Sequence, residues 1–353
     1  MTIPESQQHR QKILLIKMLS AADVGAIGVP ALRFFKQQFG QAELQVLTFG
    51  GGAELLQLAE PQVRLHILEH WPDDFFLAME TFLGLAEQII GEGYQQIINL
   101  DTAFMPCFLA RFLKDAGEPI SGNYLSISIQ ALLDKVQDKS LQADYVNVSA
   151  NYLQSSFFGM SRWHSRWWES QYLPDGGYPE FYLRQCCGFS DLRMDSYINL
   201  KQAPFNPKAP TLIGICTEVG EDGYAYPHSV ALKAALQRSG FKVWLESEIK
   251  GSYQSLLSKM QQSHIVVCKA GGSRWLANHV GSPVLLISGA AEPNRYMPDF
   301  ATDQRTPCER HSPLFRDRPT KLQPCNCENP QLLADNIASL LTMLALEEGS
   351  SDA

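Results

Sequence analysis

KILLIKMLSAADVGAIGVPAL, residues 12–32, passes from an apolar run through a turn of small residues to a single acid and then a second helix-like segment. Lys12 to Met18 is rich in Ile and Leu and too short for a helix, which predicts a buried parallel strand. Ser20, Ala21 and Ala22 permit close backbone approach, and Asp23 falls where the next helix begins. A carboxylate at that point reads in two ways. It is either a helix cap or a group at the carboxyl edge of a parallel sheet, where open α/β folds place ligands and reactive residues.

The same alternation continues through the N-terminal half. Candidate strands at Lys12 to Lys17, Glu43 to Phe49, Arg64 to Leu68 and Gln95 to Leu100 are interleaved with helical patterns such as Val29 to Phe39 and Phe75 to Ile90. Trp71-Pro72 and Gly91 punctuate them. This order implies a parallel sheet covered by helices. Residues 201–210, KQAPFNPKAP, hold three prolines and no hydrophobic period and read as a linker. A second α/β unit follows, with strands expected at Thr211 to Thr217, Phe241 to Leu245, Ile265 to Cys268 and Pro283 to Ile287. Helices are expected at Ser229 to Ser239, Tyr253 to Gln262 and Arg274 to Val280. Pro330 to Leu346 carries leucines and isoleucines at helical spacing and reads as a packing helix, before a tail, EEGSSDA, whose composition suggests disorder. The expectation is therefore an α/β protein of two Rossmann-like domains, 1–200 and 211–330, joined by the linker and followed by 331–353, with a ligand cleft between the carboxyl edges of the two sheets.

Composition excludes some functions. The chain has 353 residues, 45% of them hydrophobic, and 29 basic against 37 acidic side chains, a formal net charge of −8. That balance argues against a generic nucleic-acid binder. No apolar run approaches the ~18 residues of a membrane span, and the polar start MTIPESQQHRQK does not read as a signal peptide, so a cytoplasmic place is expected. Eight cysteines in a chain of this length look like reduced thiols. Cys308, Cys325 and Cys327 lie in a Pro-rich segment together with His311. Their C-x2-H and C-x-C spacing offers a four-ligand site for iron or zinc, against the plainer alternative of surface cysteines.

Three stretches resemble the ADP-heptose:lipopolysaccharide heptosyltransferases, glycosyltransferase family 9. Met18-Leu19-Ser20-Ala21-Ala22-Asp23-Val24 followed by Pro30-Ala31-Leu32 is similar to that family's first strand, Leu-Ser-Ser-Leu-Gly-Asp-Val loop and helix. Tyr94 to Arg111 resembles its strand, polar turn and helix closing in Leu-Ala-Arg. His264 to Pro298 resembles the donor side, a strand, Gly-containing loop, short helix and Thr-Asp-Pro segment. The resemblance implies the GT-B fold, with the acceptor on the first domain and the nucleotide-sugar donor on the second. It implies an inverting glycosyltransferase that moves a sugar, heptose by preference, from a nucleotide diphosphate such as ADP-heptose to a glycan or protein hydroxyl. The chemistry would need no cofactor, and the protein would lie at most peripherally at the inner membrane. Some protein-modifying members carry a cysteine-bound iron.

On this resemblance Asp23 is the candidate base, since sugar transfer needs a group to take the acceptor proton and positive charge to hold the departing diphosphate. The loop Lys269, Ala270, Gly271, Gly272, Ser273 is the candidate diphosphate holder, although a Gly-Gly pair also makes an ordinary tight turn. The chain departs from the family there: an acid before the glycine is replaced, and Trp275 stands where a histidine is expected. No lysine follows the first strand of the second domain, and Lys269 is expected to supply that charge instead. Thr217 and Glu218, at the end of that strand, and Glu292 and Asn294, in the place of Thr-Asp-Pro, complete the expected donor contacts, each with a loop or turn reading beside it. Asp101 and Thr102 read as acceptor contacts or as a cap on the next helix. The aromatic segment from Asn151 to Tyr172, with Trp163, Trp167, Trp168 and the pair Arg162 and Arg166, suits sugar stacking, a partner or plain packing. His228 reads as a phosphate donor or a helix-start residue. A non-catalytic relative that binds a sugar nucleotide or a partner is the rival to the enzyme.

Overall fold

The computed structural model describes residues 11–69, 75–164, 174–201, 205–206, 209–217, 225–288, 296–303, 305–306, 308, 311 and 325–351. The chain forms two compact units, Met1–Ser196 and Tyr197–Ala353.

The first unit is built on a six-stranded sheet. Its strands are β1 (Lys12–Ile16), β2 (Glu43–Phe49), β3 (Arg64–Leu68), β4 (Gln96–Asn99), β5 (Ile120–Leu125) and β6 (Leu153–Ser155), in the order β3-β2-β1-β4-β5-β6. All neighbours are parallel except β5 and β6. β1 sits in the middle, with Ile13 paired to Leu44 on one side and Gln96 on the other. Alternate side chains explain why it reads as one unbroken apolar run: Ile13 and Leu15 enter the core on one face of the sheet, Leu14 and Ile16 the core on the other. Each such burial contributes about 1.5–3 kcal/mol.

After β1 the chain enters a continuous helical run, Ala21–Asp23, a π-type stretch Val24–Gly28 and Val29–Gln38. Ser20 caps its start, its hydroxyl accepting from the Asp23 amide at 3.3 Å, so the capping task considered for Asp23 falls to Ser20. Gly28 lets this run pass close over the end of β1. A methyl built there would lie 3.2 Å from Lys17 Cγ.

The second unit is a five-stranded parallel sheet with β7 (Leu212–Cys216), β8 (Lys242–Leu245), β9 (Ile265–Lys269), β10 (Val284–Ile287) and β11 (Phe300–Ala301) in the order β11-β10-β9-β7-β8. Every residue of β9 is buried. The helices Ser229–Arg238 and Pro330–Ser351 pack together over this sheet, where Leu232 and Leu236 share a core with Leu333, Ala334 and Ile337. Of the tail expected to be disordered, residues 347–351 belong to that second helix, which continues through Ser351, and 352–353 lie outside the described residues. Among the described residues no helix is long and apolar enough to cross a membrane.

The aromatic segment is not one helix. It holds β6 and a 3-10 turn, Met160–His164, and Trp163 packs edge-on against Tyr182 at 4.9 Å between ring centres. That contact answers for Trp163 as a packing residue. Arg166, Trp167, Trp168 and Tyr172 lie outside the described residues.

Candidate functional site

In each sheet the first strand is flanked by strands that lead the chain away in opposite directions. Between β1 and β4, and again between β7 and β9, the sheet has a topological switch point, the place where open α/β sheets hold ligands at the strands' carboxyl ends. Asp23, Asp101 and Thr102 lie at the first of these points, and Thr217, Lys269 and the glycine loop at the second.

At the first, Lys17 directly follows β1, with its amide donating to Leu47 O at 3.0 Å. Its side chain is only 2% exposed and its ammonium bridges two carboxylates. It bonds Asp101 Oδ1 at 2.5 Å and Asp23 Oδ2 on the other side. Burial alone pulls the Lys17 ammonium down, but Asp101 and Asp23 more than reverse this and hold its proton above the ordinary 10.5. Burial pushes the Asp101 carboxyl up, and Lys17 pulls it back only in part.

Asp101 is fully buried, and its second oxygen takes the Met18 amide. A side chain so enclosed does not cap the helix Phe104–Asp115, which has Ala103 at its cap position. Asp101 is a foundation residue instead. Its amide donates to Asn99 Oδ1 at 3.0 Å, its carbonyl accepts from Asn123 Nδ2 at 3.0 Å, and Tyr182 donates to Leu100 O at 2.7 Å. Thr102 is half-buried and its carbonyl accepts from Tyr152 at 2.7 Å.

Asp23 differs from Asp101 in one respect that matters. Its side chain is 15% exposed, so one edge reaches solvent while Lys17 grips the other. Tyr178 approaches Oδ1 with its hydroxyl at 3.4 Å. The arrangement can orient a carboxylate to take a proton from an incoming hydroxyl.

At the second switch point Thr217 and Lys269 extend neighbouring strands whose last pair is Cys216 and Cys268. Thr217 Oγ1 and Ser229 Oγ lie 2.9 Å apart, Ser229 donates to Tyr226 O at 2.7 Å, and Tyr226 N donates to Thr217 O at 2.8 Å. This closed ring forms one wall of a pocket of about 290 Å³ lined also by Ile215, Leu245 and Glu246, close to the lower limit of about 300 Å³ for small-molecule sites. Lys269 is buried, Gly271 is extended, and the short helix Gly272–Asn278 begins directly after it. Ser273 bonds Glu246 at 3.4 Å, which joins the glycine loop to the pocket. Trp275 is buried beneath Arg274 and beside Tyr296. Arg274 is itself buried and donates to the carbonyls of Tyr296 at 3.0 Å and Met297 at 2.5 Å, anchoring the chain that follows β10. Glu218, Glu292 and Asn294 lie outside the described residues.

The cysteine and histidine set comes together. Ligand atoms of Cys308, His311, Cys325 and Cys327 all lie within 4.8 Å of one another. His311 Nδ1 is 3.4 Å from Cys308 Sγ and 3.6 Å from both Cys325 Sγ and Cys327 Sγ, and the Cys308 and Cys325 sulfurs are 3.9 Å apart. A tetrahedral ion with sulfur at about 2.3 Å and nitrogen at about 2.0 Å sets neighbouring donors roughly 3.5–3.8 Å apart. The donor set therefore fits zinc or iron in both chemistry and spacing. His228 also reaches this cluster, with Nε2 at 3.3 Å from Cys325 Sγ.

Lys17, Arg274 and the link from His228 to Cys325 were not singled out from the sequence. The one available signal was a lysine closing an otherwise apolar central strand.

No protein-family model and no curated protein sequence matches the chain. Among solved structures it is similar to E. coli heptosyltransferase WaaC with ADP, at TM-score 0.52 and 14% identity over 84% of this chain and 93% of that one. WaaC with ADP-2-deoxy-2-fluoro heptose gives 0.51 and 13% over 84% and 92%. A glycosyl transferase family 9 protein from Veillonella parvula gives 0.48 and 12% over 84% and 86%. The likeness to these family 9 glycosyltransferases extends over most of the chain and is one of fold, of the GT-B type.

Proposed function

We propose that the chain is an inverting glycosyltransferase that takes a sugar from a nucleotide diphosphate donor, with the acceptor side on the first unit and the donor side on the second. The observation that carries this reading is Asp23: a carboxylate at a switch point, gripped by a buried ammonium and open to solvent along one edge. Asp23 takes the proton of the acceptor hydroxyl as its oxygen attacks the anomeric carbon. The bond from that carbon to the diphosphate oxygen breaks, and the electron pair leaves with the nucleoside diphosphate. One displacement inverts the anomeric centre. Lys269 and the backbone of Gly271, Gly272 and Ser273 balance the charge that grows on the leaving group.

ADP-heptose is the donor this reading favours, supported by the likeness in fold to WaaC, whose structures contain ADP and an ADP-heptose analogue. The pocket beside Thr217, Ser229 and Glu246 takes the nucleoside. The acceptor is a glycan or a protein hydroxyl. Cys308, His311, Cys325 and Cys327 hold a structural zinc or iron, and the transfer itself is assigned to side chains of the protein.

A second reading, a non-catalytic subunit that binds a sugar nucleotide or a partner, is favoured by the donor loop, where Trp275 is packed inward in the place of the family's histidine. A crystal soaked in ADP tests the donor assignment. Diphosphate against residues 269–273 supports it, and ADP bound elsewhere, or not at all, overturns it.

A further inference from the structure

We propose that the cysteine and histidine centre and the nucleotide pocket of the second unit bind their ligands cooperatively, with His228 as the positioning residue that joins them. The inference rests on the metal and donor readings above.

Two hydrogen-bonded strings run from the centre to the pocket. The first starts at Cys325 Sγ, 3.3 Å from His228 Nε2. His228 directly precedes Ser229, whose hydroxyl meets Thr217 Oγ1 at 2.9 Å, and both Thr217 and Ser229 line the pocket. The second starts at Glu328, next to Cys327, whose carbonyl accepts from the Tyr226 hydroxyl at 2.6 Å. Tyr226 in turn donates its amide to Thr217 O at 2.8 Å. The turn Tyr226 to Ser229 is thus held by the metal-ligand segment at one end and forms the pocket wall at the other.

The centre also borders the donor loop. Cys308 and Cys327 line a narrow crevice with Lys269, Arg305, Thr306 and Asn326, about 20 Å³ in volume, enough for a single water. Arg305 grips both oxygens of Glu328 at 2.7 and 3.1 Å, which stiffens the same wall.

Metal loading changes what Cys325 can do. A thiol is a weak acceptor, whereas a metal-bound thiolate is anionic and accepts a stronger, charge-assisted hydrogen bond from an imidazole N–H. With metal bound, His228 is locked by its Nε2 proton and the turn to Ser229 is held in place. Without it, the grip on the turn weakens and the pocket wall loosens. Linkage then requires the effect to run both ways, with nucleotide tightening metal binding by the factor by which metal tightens nucleotide.

The test measures ADP affinity by calorimetry on zinc-loaded and chelator-stripped protein, and zinc affinity by chelator competition with and without saturating ADP. Both are repeated on His228→Phe, which keeps ring volume and removes the donor. In the native protein, stripping should weaken ADP binding by about fivefold or more, and ADP should tighten zinc by the same factor. His228→Phe should retain one zinc per chain while that factor falls toward one. Equal ADP affinity in loaded and stripped native protein overturns the proposal, as does undiminished coupling in the variant. If stripping unfolds the second unit, the loaded proteins decide: unchanged ADP affinity in His228→Phe overturns it. Failure to bind zinc would sink the metal reading, and failure to bind ADP the donor reading, each separately from the coupling.

Discussion

Lys17 and Asp101 form a buried ion pair, Nζ to Oδ1 at 2.5 Å, where β1 and β4 end side by side. The lysine's remaining bond goes to Asp23, so the position of the partly exposed carboxylate is set from inside the protein.

Removing one partner of a buried pair leaves an uncompensated charge, which costs about 3–5 kcal/mol. Lys17→Met should lower stability to urea by that amount. The double variant Lys17→Met, Asp101→Asn should recover a substantial part, because no buried charge is then stranded. Equal stability of Lys17→Met and the native protein would contradict the pairing.

The same pair predicts a pH dependence. The Lys17 proton is held above its ordinary 10.5 in the folded state, so the native state binds it more tightly than the unfolded chain does. The resulting stabilisation is complete below the unfolded value and is lost as pH rises through the folded one. The gap in stability between the native protein and Lys17→Met should therefore narrow above pH 10.5, measured by urea unfolding at successive pH values. A gap that widens there would reverse the sign of the assignment.

Lys269 closes β9 at the second switch point and is assigned to the donor diphosphate. A charge-assisted hydrogen bond contributes about 1.5–3 kcal/mol, so Lys269→Ala should weaken ADP binding by about ten- to a hundredfold with the melting temperature checked alongside. Unchanged affinity in a folded variant would remove Lys269 from the donor site.

Protein purified under reducing conditions should contain about one equivalent of zinc or iron per chain, consistent with a closed four-ligand set. Cys325→Ser should reduce that content, and a chelator should lower the melting temperature of the native protein. Elemental analysis showing no metal in freshly isolated native protein would contradict the site.

Much of the fold was legible because the strands are buried. The readings of Glu43 to Phe49 and Arg64 to Leu68 coincide with β2 and β3, and the apolar run read as the central strand, Lys12 to Lys17 or Met18, extends past the end of β1 at Ile16. The helix Gly50–Ala59 escaped notice, since three consecutive glycines oppose helix on propensity. Burial of Leu55 and Leu56 overrides that local preference. Residues 347–351 read as tail for a related reason, because polar composition hides a helix that grows out of the packed turns at Leu333 and Ile337. The placement of Asp23 just after the first strand was legible. Lys17 was not, because its partner Asp101 is 84 positions away and a charge at the end of a strand reads as a boundary. The link of His228 to Cys325 was opaque for the same reason, the two being 97 positions apart. The cysteine and histidine set was legible as two short motifs, and folding brings their ligand atoms within 4.8 Å of one another.

The central claim is that Asp23 is the base of a sugar transfer, and it is tested most directly by ADP release from ADP-heptose in the presence of acceptor, compared between the native protein and Asp23→Asn. The account predicts that release falls by about 10²- to 10⁴-fold while ADP affinity stays the same. Release at the native rate in Asp23→Asn, or none from the native protein despite bound donor, would contradict it.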